Sequence, residues 1–291
     1  MKILVTGGLG FIGSNFLNLY VNKYPEHDFY NIDSLTYASN FENVKDIKSK
    51  SNYYYIRVDI SQEKQVEKIF DLVCPDCVIH FAAESHVDRS IKGPKIFIET
   101  NIIGTYNLLE SARKHWTNND HVFLHISTDE VYGELDNKGS FNELSRYSPN
   151  SPYSASKAAS DHMVKAWHKT YGLPIKIINC SNNYGPRQFP EKFIPLMTIN
   201  AMNGSLLPIY GKGDNIRDWI FVEDHCNAIW EVLINGKIGE TYNVGGANEK
   251  TNIEVIEAII KILVDDHGCN YIDLKKLIVY VADRLGHDFR Y

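Results

Sequence analysis

The chain has no apolar run approaching the roughly 20 residues that a membrane-spanning helix needs. Its N-terminal run, Met1-Lys2-Ile3-Leu4-Val5-Thr6, passes directly into glycines and is too short for a signal peptide. A cytoplasmic location is expected, with no membrane partner. There is no basic excess either: the formal net charge is -6 over 291 residues. Without a stripe of Lys and Arg to neutralise phosphates, nucleic acid is not an expected partner, although local cations could still hold a small anion. The cysteines number five, an odd and scattered set that describes no disulfide framework. Cys74-Pro-Asp-Cys77 forms a single CxxC, but Cys77 opens an apolar run and a zinc site would want a second pair. That motif therefore reads as structural, and no metal is expected. Repeats, low-complexity tracts and long linkers are also missing.

What is present reads as a soluble α/β protein. The hydrophobic share of 44% and charged share of 23% are ordinary for a globular chain, and the length holds one large or two unequal domains. Residues 2–6 form a short β-rich run, followed at once by Gly7-Gly8-Leu9-Gly10-Phe11-Ile12-Gly13. Strand, glycine turn and helix in that order bring the backbone close to a pyrophosphate and point the first helical amides at its charge. A bare GxGxxG is a weak signal. It gains from Asp33, which ends the next strand-like run 20 residues after Gly13. A carboxylate there accepts hydrogen bonds from an adenosine ribose and repels a 2′-phosphate, which favours NAD over NADP.

Residues 53–58 and 77–81 read as further parallel strands with a helix over 62–72 between them, so that Asp59, Ile60, Phe81, Ala82 and Ala83 fall at strand ends. Small residues at Ala82 and Ala83 fit either a cofactor lying against the chain or plain tight packing. The segment 84–90 reads as a polar loop at the same edge, in which His86 is either a ligand contact or a loop histidine. The apolar run 121–126 then delivers Ser127-Thr128-Asp129-Glu130-Val131-Tyr132-Gly133 to the carboxyl end of a buried strand, where ligands of open α/β sheets sit.

A helix over 100–115 carries Ile102, Ile103, Tyr106, Leu108 and Leu109 on more than one face, which suggests burial on both sides and hence a partner subunit. After Ser151-Pro152 a second helix runs to about 171, with Tyr153 and Lys157 at i and i+4 on one face. An ammonium beside a phenol favours the phenolate and lowers its pKa towards neutrality. A YxxxK pair alone is commonly a surface pair; behind a dinucleotide fingerprint it reads as a catalytic base. Residues 175–180 form a sixth strand, after which the alternation loosens. Residues 182–186 read as a turn, 193–202, 224–233 and 252–264 as helices, and 207–210 and 219–222 as short strands. The expected architecture is a Rossmann-type doubly wound parallel sheet over 1–180, with returning segments from 211–250, and a smaller discontinuous substrate domain over 181–291. Lys192, Arg217, Arg284 and His287 are its candidate anion holders.

Taken together these residues resemble the extended short-chain dehydrogenase/reductases, and within them the nucleoside-diphosphate-glucose 4,6-dehydratases, most of all those acting on the dTDP sugar. The resemblance runs nearly end to end. It rests on GGLGFIG at 7–13, HFAAESHVDRS at 80–90, STDEVYG at 127–133, SPYSASKA at 151–158, NCSNNYGP at 179–186, EKFIP at 191–195 and DRLGHDFRY at 283–291. STDEVYG discriminates. Epimerases of this superfamily usually lack both acids, and sugar-nucleotide decarboxylases generally keep only the Glu.

The resemblance implies that Tyr153 takes the C4 hydroxyl proton, Thr128 holds that hydroxyl, Lys157 tunes Tyr153, Glu130 removes the C5 proton and Asp129 protonates the departing C6 hydroxyl. It implies NAD contacts at Gly7, Gly10, Phe11, Ile12, Gly13, Asp33, Ser34, Leu35, Thr36, Asp59, Ile60, Phe81, Ala82, Ala83, Ser85, Thr100 and Asn183, besides Tyr153 and Lys157. It implies sugar-nucleotide contacts at Ser85, His86, Thr128, Asn182, Lys192, Phe193, Pro208, Tyr210, Arg217, Asn252, Arg284, His287 and Tyr291. A homodimer through the helices of Thr100 and Tyr153 is implied as well. The departures are Leu285 and Phe289, where the family carries Pro and Arg, and a chain that stops at Tyr291 where relatives continue over the substrate domain. Alternatives left open are a dehydratase acting on a UDP or CDP sugar, a UDP-hexose 4-epimerase, a decarboxylase, and a non-catalytic NAD-binding protein on the same fold.

Overall fold

Short β-branched and aromatic runs separated by amphipathic helices build a parallel sheet with helices on both faces. The computed structural model describes residues 1–117, 120–136 and 138–291. Its strands are β1 (Lys2–Thr6), β2 (Asp28–Asp33), β3 (Tyr53–Arg57), β4 (Cys77–His80), β5 (Val122–Thr128), β6 (Ile175–Cys180), β7 (Asn182–Tyr184), β8 (Leu207–Tyr210), β9 (Ile216–Phe221), β10 (Thr241–Val244), β11 (Glu249–Thr251) and β12 (Ile278–Val281). The helices are α1 (Phe11–Lys23), α2 (Glu63–Val73), α3 (Val87–Lys92), α4 (Lys95–Phe97), α5 (Thr105–His115), α6 (Pro152–Tyr171), α7 (Phe193–Met202), α8 (Val222–Asn235), α9 (Asn252–His267) and α10 (Tyr271–Lys276). Among these residues no helix is long and apolar enough to cross a membrane.

Seven strands lie side by side in the order β10-β6-β5-β4-β1-β2-β3, all parallel. The order reverses between β1 and β4, because the chain winds outward to β3 and then returns to the other side of β1. A crevice opens outside the carboxyl ends of strands at such a point. The glycine turn after β1 and residues 81–85 after β4 flank it, and β5 ends beside it at Thr128. One face of the sheet is covered by α1 and α8, whose Phe16, Tyr20, Val222 and Ile229 share a core with Ile3, Val5 and Ile79. The other face is covered by α2, α5 and α6 through Phe70, Leu108, Leu109 and Val164, packed on Leu4, Val78 and Ile177. A third cluster joins α7, α9, β8 and β9 in the C-terminal part, around Met197, Leu207, Trp219 and Ile256.

Local chemistry sets the helix ends that matter for the site. Ser151 caps α6, accepting from the Ser154 amide while the Ser154 hydroxyl accepts from the Ser151 amide, and Pro152 occupies the first turn; this fixes where Tyr153 begins. Cys74 closes α2 in a left-handed conformation, φ 48°, and Cys77 lies buried in β4 with its thiol pushed up to about 12 by burial and Asp76. Cys74 thus belongs to a helix cap and Cys77 to a strand, where burial disfavours the Cys77 thiolate.

Three segments differ from expectation. Residues 84–90 are not loop throughout: His86 caps the short helix α3, its ring accepting from the Arg89 amide. The expected turn at 182–186 begins as β7, which pairs with β9 in a separate three-stranded sheet. The first half of the helix expected over 100–115 is a wider π-type coil, Ile98–Gly104, before α5.

Leu4 is fully buried in the second core. Leu4→Ala is expected to lower unfolding free energy by about 2–5 kcal/mol with an unchanged urea m-value; a loss below about 0.5 kcal/mol would contradict the packing described.

Candidate active site

The turn after β1 is shaped by what cannot be there. A Cβ on Gly7 (φ +72°) would stand 2.7 Å from the Ala82 backbone, and one on Gly13 would stand 2.6 Å from the Gly7 carbonyl oxygen. Only glycine lets β1, α1 and residue 82 approach this closely. Gly10 offers no side-chain cap to α1, so the amides opening that helix lack intrahelical acceptors and face the crevice. Asp33 accepts from the Leu9 amide at 3.1 Å, the Leu35 amide at 2.9 Å and the Ser39 hydroxyl at 2.7 Å. A carboxylate has about four acceptor positions, so one remains for a ribose hydroxyl. Close-approach glycines, an uncapped helix N-terminus and a fixed carboxylate are the donor and acceptor set that an NAD adenosine diphosphate requires.

The cavity here measures about 310 Å³. Gly7, Gly10, Phe11, Ile12, Gly13, Asp33, Ser34, Thr36, Asp59, Ile60, Phe81, Ala82, Ala83, Ser85, Thr100, Tyr153, Lys157 and Asn183 line it, together with Thr128, Asp129 and Glu130. Leu35 does not reach it. Its backbone turns left-handed, φ 61°, and its side chain packs on the first core. A second cavity of about 300 Å³ adjoins the first, lined by Ser85, His86, Asn182, Lys192, Phe193, Pro208, Tyr210, Arg217, Asn252, Arg284, His287 and Tyr291. Glu130 borders both cavities.

At that junction Thr128 ends β5 and its hydroxyl accepts from the Glu130 amide and donates to Asp129 Oδ1, both at 3.3 Å. A short 3₁₀ turn, Asp129–Tyr132, carries both acids off the strand. Burial and the adjacent Glu130 push the Asp129 carboxyl well above the usual range. Burial also raises Glu130, but Arg217, Arg284 and Lys192 pull it back. The pair is thus split: Asp129 holds its proton and Glu130 is the more readily ionised partner.

Tyr153 departs from expectation. Burial, then Glu130 and Cys180, hold its phenol well above the ordinary value. Lys157 does not touch it; the ammonium donates to the Ile126 carbonyl at 2.9 Å and lies 3.5 Å from His125 Nε2. Sequence spacing put phenol and ammonium on one face but could not say that the ammonium points into the sheet and that carboxylates crowd the phenol instead.

In the second cavity the cations are already engaged. Arg217 donates to the carbonyls of Ile216 (2.7 Å), Phe289 (3.1 Å) and Asp288 (2.8 Å) and stacks 4.0 Å over the Tyr291 ring. Arg284 lies 3.6 Å from Asp88, which also accepts from Tyr210 at 3.2 Å. Lys192 donates to the Ser85 carbonyl at 2.8 Å, and His287 pairs with Asp283 at 2.7 Å. Leu285 is 79% exposed, and Phe289 contributes its backbone, donating to Glu134 and accepting from Arg217. Sequence reasoning missed Cys180, Gln188, Phe189 and Glu191 on the first cavity and Asp88, Met197 and Trp219 on the second. It also missed Asn101, which ties residue 84 to Ser156. Asp88, Cys180 and Glu191 lay within quoted motifs; the others carry no signal of their own.

Comparison with known proteins agrees along the whole chain. The GDP-mannose 4,6 dehydratase family matches residues 4–284. The dTDP-glucose 4,6-dehydratase of Salmonella typhimurium strain LT2 is 52% identical over 306 aligned positions, covering 100% of this chain and 84% of the relative. A crystal structure of dTDP-glucose 4,6-dehydratase from Bacillus anthracis in complex with NAD superposes with a TM-score of 0.89 at 47% identity, over 100% of this chain and 86% of that one. DesIV, a dTDP-glucose 4,6-dehydratase from Streptomyces venezuelae with NAD bound, gives 0.91 at 44% identity, over 100% and 87%.

The split between the two acids is directly measurable. Infrared titration is expected to show a protonated carboxyl at neutral pH that disappears in Asp129→Asn. In Glu130→Gln the same band should titrate about one pH unit lower or more, because the neighbouring negative charge is gone. An unmoved titration would contradict the pairing.

Proposed function

The chain belongs to the GDP-mannose 4,6 dehydratase family, and from that membership we propose that it is a dTDP-glucose 4,6-dehydratase, an NAD-dependent hydro-lyase that converts dTDP-glucose to dTDP-4-keto-6-deoxyglucose and water. The observation that carries this reading is the pair Asp129 and Glu130, adjacent carboxyls with split proton affinity at the border of the two cavities. An epimerase needs no acid and base for elimination.

Bound NAD supplies the acceptor for the C4 hydride and returns that hydride to C6, so it ends each cycle unchanged. Tyr153 takes the C4 hydroxyl proton as a phenolate, a form that the positive charge of the oxidised nicotinamide would favour over the neutral phenol, while Thr128 keeps that hydroxyl in line. The resulting ketone acidifies the C5 hydrogen, which Glu130 removes as a general base. Asp129, protonated, gives its proton to the C6 hydroxyl, which departs as water, and Glu130 returns a proton to C5 as the hydride arrives at C6. One turnover therefore leaves Tyr153 with a proton gained and Asp129 with a proton lost, and a proton must pass between them before the next. Lys157 supplies positive charge behind the phenol and lines the cofactor cavity.

Residues 1–180 with the returning segment 211–250 form the dinucleotide-binding unit in this reading, and the remainder of 181–291 takes the sugar nucleotide. Ser85, His86, Asn182, Lys192, Phe193, Pro208, Tyr210, Asn252, His287 and Tyr291 surround the substrate. Arg284 grips its diphosphate in exchange for Asp88. Arg217, three of whose donors are held by backbone carbonyls, acts by charge and by fixing Tyr291. Five free thiols accord with action in the reducing cytoplasm. Ile98, Ile103, Tyr106 and Tyr171 expose 38–53% of their surface along the coil before α5, α5 itself and α6, which supports a homodimer through these helices.

Turnover in heavy water should place deuterium at C5 of the product; loss of carbon dioxide or an intact 6-hydroxyl would reject the reading. Glu130→Gln is expected to keep its cofactor and to stall after C4 oxidation, seen as persisting absorbance of the reduced nicotinamide, with turnover falling about 100-fold or more. Tyr106→Glu is expected to shift sedimentation from dimer to monomer; an unchanged dimer would place the interface elsewhere.

A further inference from the structure

Behind the pair Tyr153 and Lys157 lies a third residue of the same helix face. Asp161 follows Lys157 as Lys157 follows Tyr153, one turn further along α6. It is wholly buried, as is His125 on β5, and Lys157 is 3% exposed. His125 Nε2 lies 3.2 Å from Asp161 Oδ1 and 3.5 Å from Lys157 Nζ, so one imidazole nitrogen stands between carboxylate and ammonium. The other carboxylate oxygen accepts from the Tyr147 hydroxyl at 2.9 Å and the Asn179 amide at 3.3 Å. The same Asn179 amide donates to the Thr128 carbonyl at 3.1 Å, which ties the carboxylate to the strand end that carries the acids.

Resting on the reading of Lys157 as the charge behind the catalytic phenol, we propose that Asp161 is the buried counter-ion that keeps Lys157 protonated, acting as a positioning residue across His125. The argument is one of charge balance. A buried ammonium far from any anion loses its proton. The titratable groups around Lys157 are Asp161 from its own helix, His125 from β5, Cys180 from β6 and, one ring further, His80 from β4, with Tyr153 one turn back along α6.

Burial, Glu130 and Cys180 keep Tyr153 neutral, and burial keeps the Cys180 thiol neutral, pushed up to about 12. Burial lowers His125 to about 4 and holds His80 well below its usual range, so both rings are neutral as well. Burial would raise Asp161 too, but His125, Lys157 and its hydrogen-bond donors outweigh that and hold it below the ordinary carboxylate value. Asp161 is thus the charged member of the set. Against the burial that pulls Lys157 down to about 8, it is the first opposing influence.

The test uses the holoenzyme carrying lysine labelled with ¹³C at Cε, the Lys157 resonance being assigned with Lys157→Arg. In the wild type the Lys157 titration should centre near 8, and Asp161→Asn should move it down by about one to three pH units, whereas Asp161→Glu should leave it within about half a unit. The alkaline limb of kcat should move acidward with it, so that Asp161→Asn loses about tenfold at pH 8 relative to pH 6. A Lys157 midpoint unmoved by Asp161→Asn would overturn the proposal. Should that variant fail to fold, the wild-type midpoint decides: near 8 supports an anion behind the ammonium, below 7 refutes it. A midpoint that moves while the kcat limb stays fixed leaves the counter-ion standing and counts against Lys157 as part of the catalytic machinery.

Discussion

Two carboxyl groups on consecutive residues, turned into one half-enclosed cleft, cannot both give up their protons cheaply. Each charge raises the cost of the other, and partial removal from water adds to it. In this protein the surroundings break the tie. Arg217, Arg284 and Lys192 act on Glu130, while Asp129, with Glu130 as its largest electrostatic burden after burial, stays protonated. Elimination of water from a sugar needs one group that takes a proton and another that gives one, close enough to act on neighbouring carbons. A single dipeptide on a 3₁₀ turn provides both.

That turn depends on the sheet beneath it. The reversal of strand order between β1 and β4 opens the crevice, and the seven-residue strand β5 ends there with Thr128, so the acids leave the sheet at its ligand-facing edge. Buried polar side chains lock the same edge. Thr6 joins His80 at 2.7 Å and the Ala82 amide at 3.1 Å, and His80 continues to Thr105 at 3.0 Å. Inside a protein such satisfied networks hold one geometry, because any alternative leaves a polar atom unpaired. Thr105 donates on to the Asn101 carbonyl and Asn101 to Ser156 of α6, so the cofactor-facing loop and the catalytic helix share one polar floor.

Much of this was legible in the sequence, for physical reasons that also explain what was not. The glycine turn, Asp33 and the strand runs announce themselves because close approach, ribose recognition and burial on both faces each demand particular residue types. Tyr153 and Lys157 were legible as sharing a helix face, but the direction of the Tyr153 shift was not, since it depends on carboxylates more than 20 residues away in the chain. The short α3 has too few turns to show a period, and β7 is three polar and aromatic residues whose partner β9 begins 34 positions after its own first residue. Leu35 was drawn into the cavity by its neighbours in a motif, whereas its left-handed backbone turns the side chain into the core. Of the second cavity, Lys192, Arg217, Arg284 and His287 were legible as candidate anion holders, and most of the others came from resemblance, since spacing along an irregular segment carries no geometry. Asp161 carries no signal at all: an acid in a helix reads as surface until the fold buries it.

The central claim is that one hydrogen leaves the sugar at C4 and comes back to it at C6 while water departs in between. Turnover of dTDP-glucose deuterated at C4, with the product examined by mass spectrometry and NMR, tests this most directly. The account predicts deuterium in the methyl group at C6 of the 4-keto product, transferred within a single sugar molecule when labelled and unlabelled substrates are mixed. Deuterium retained at C4, or lost to solvent, would contradict it.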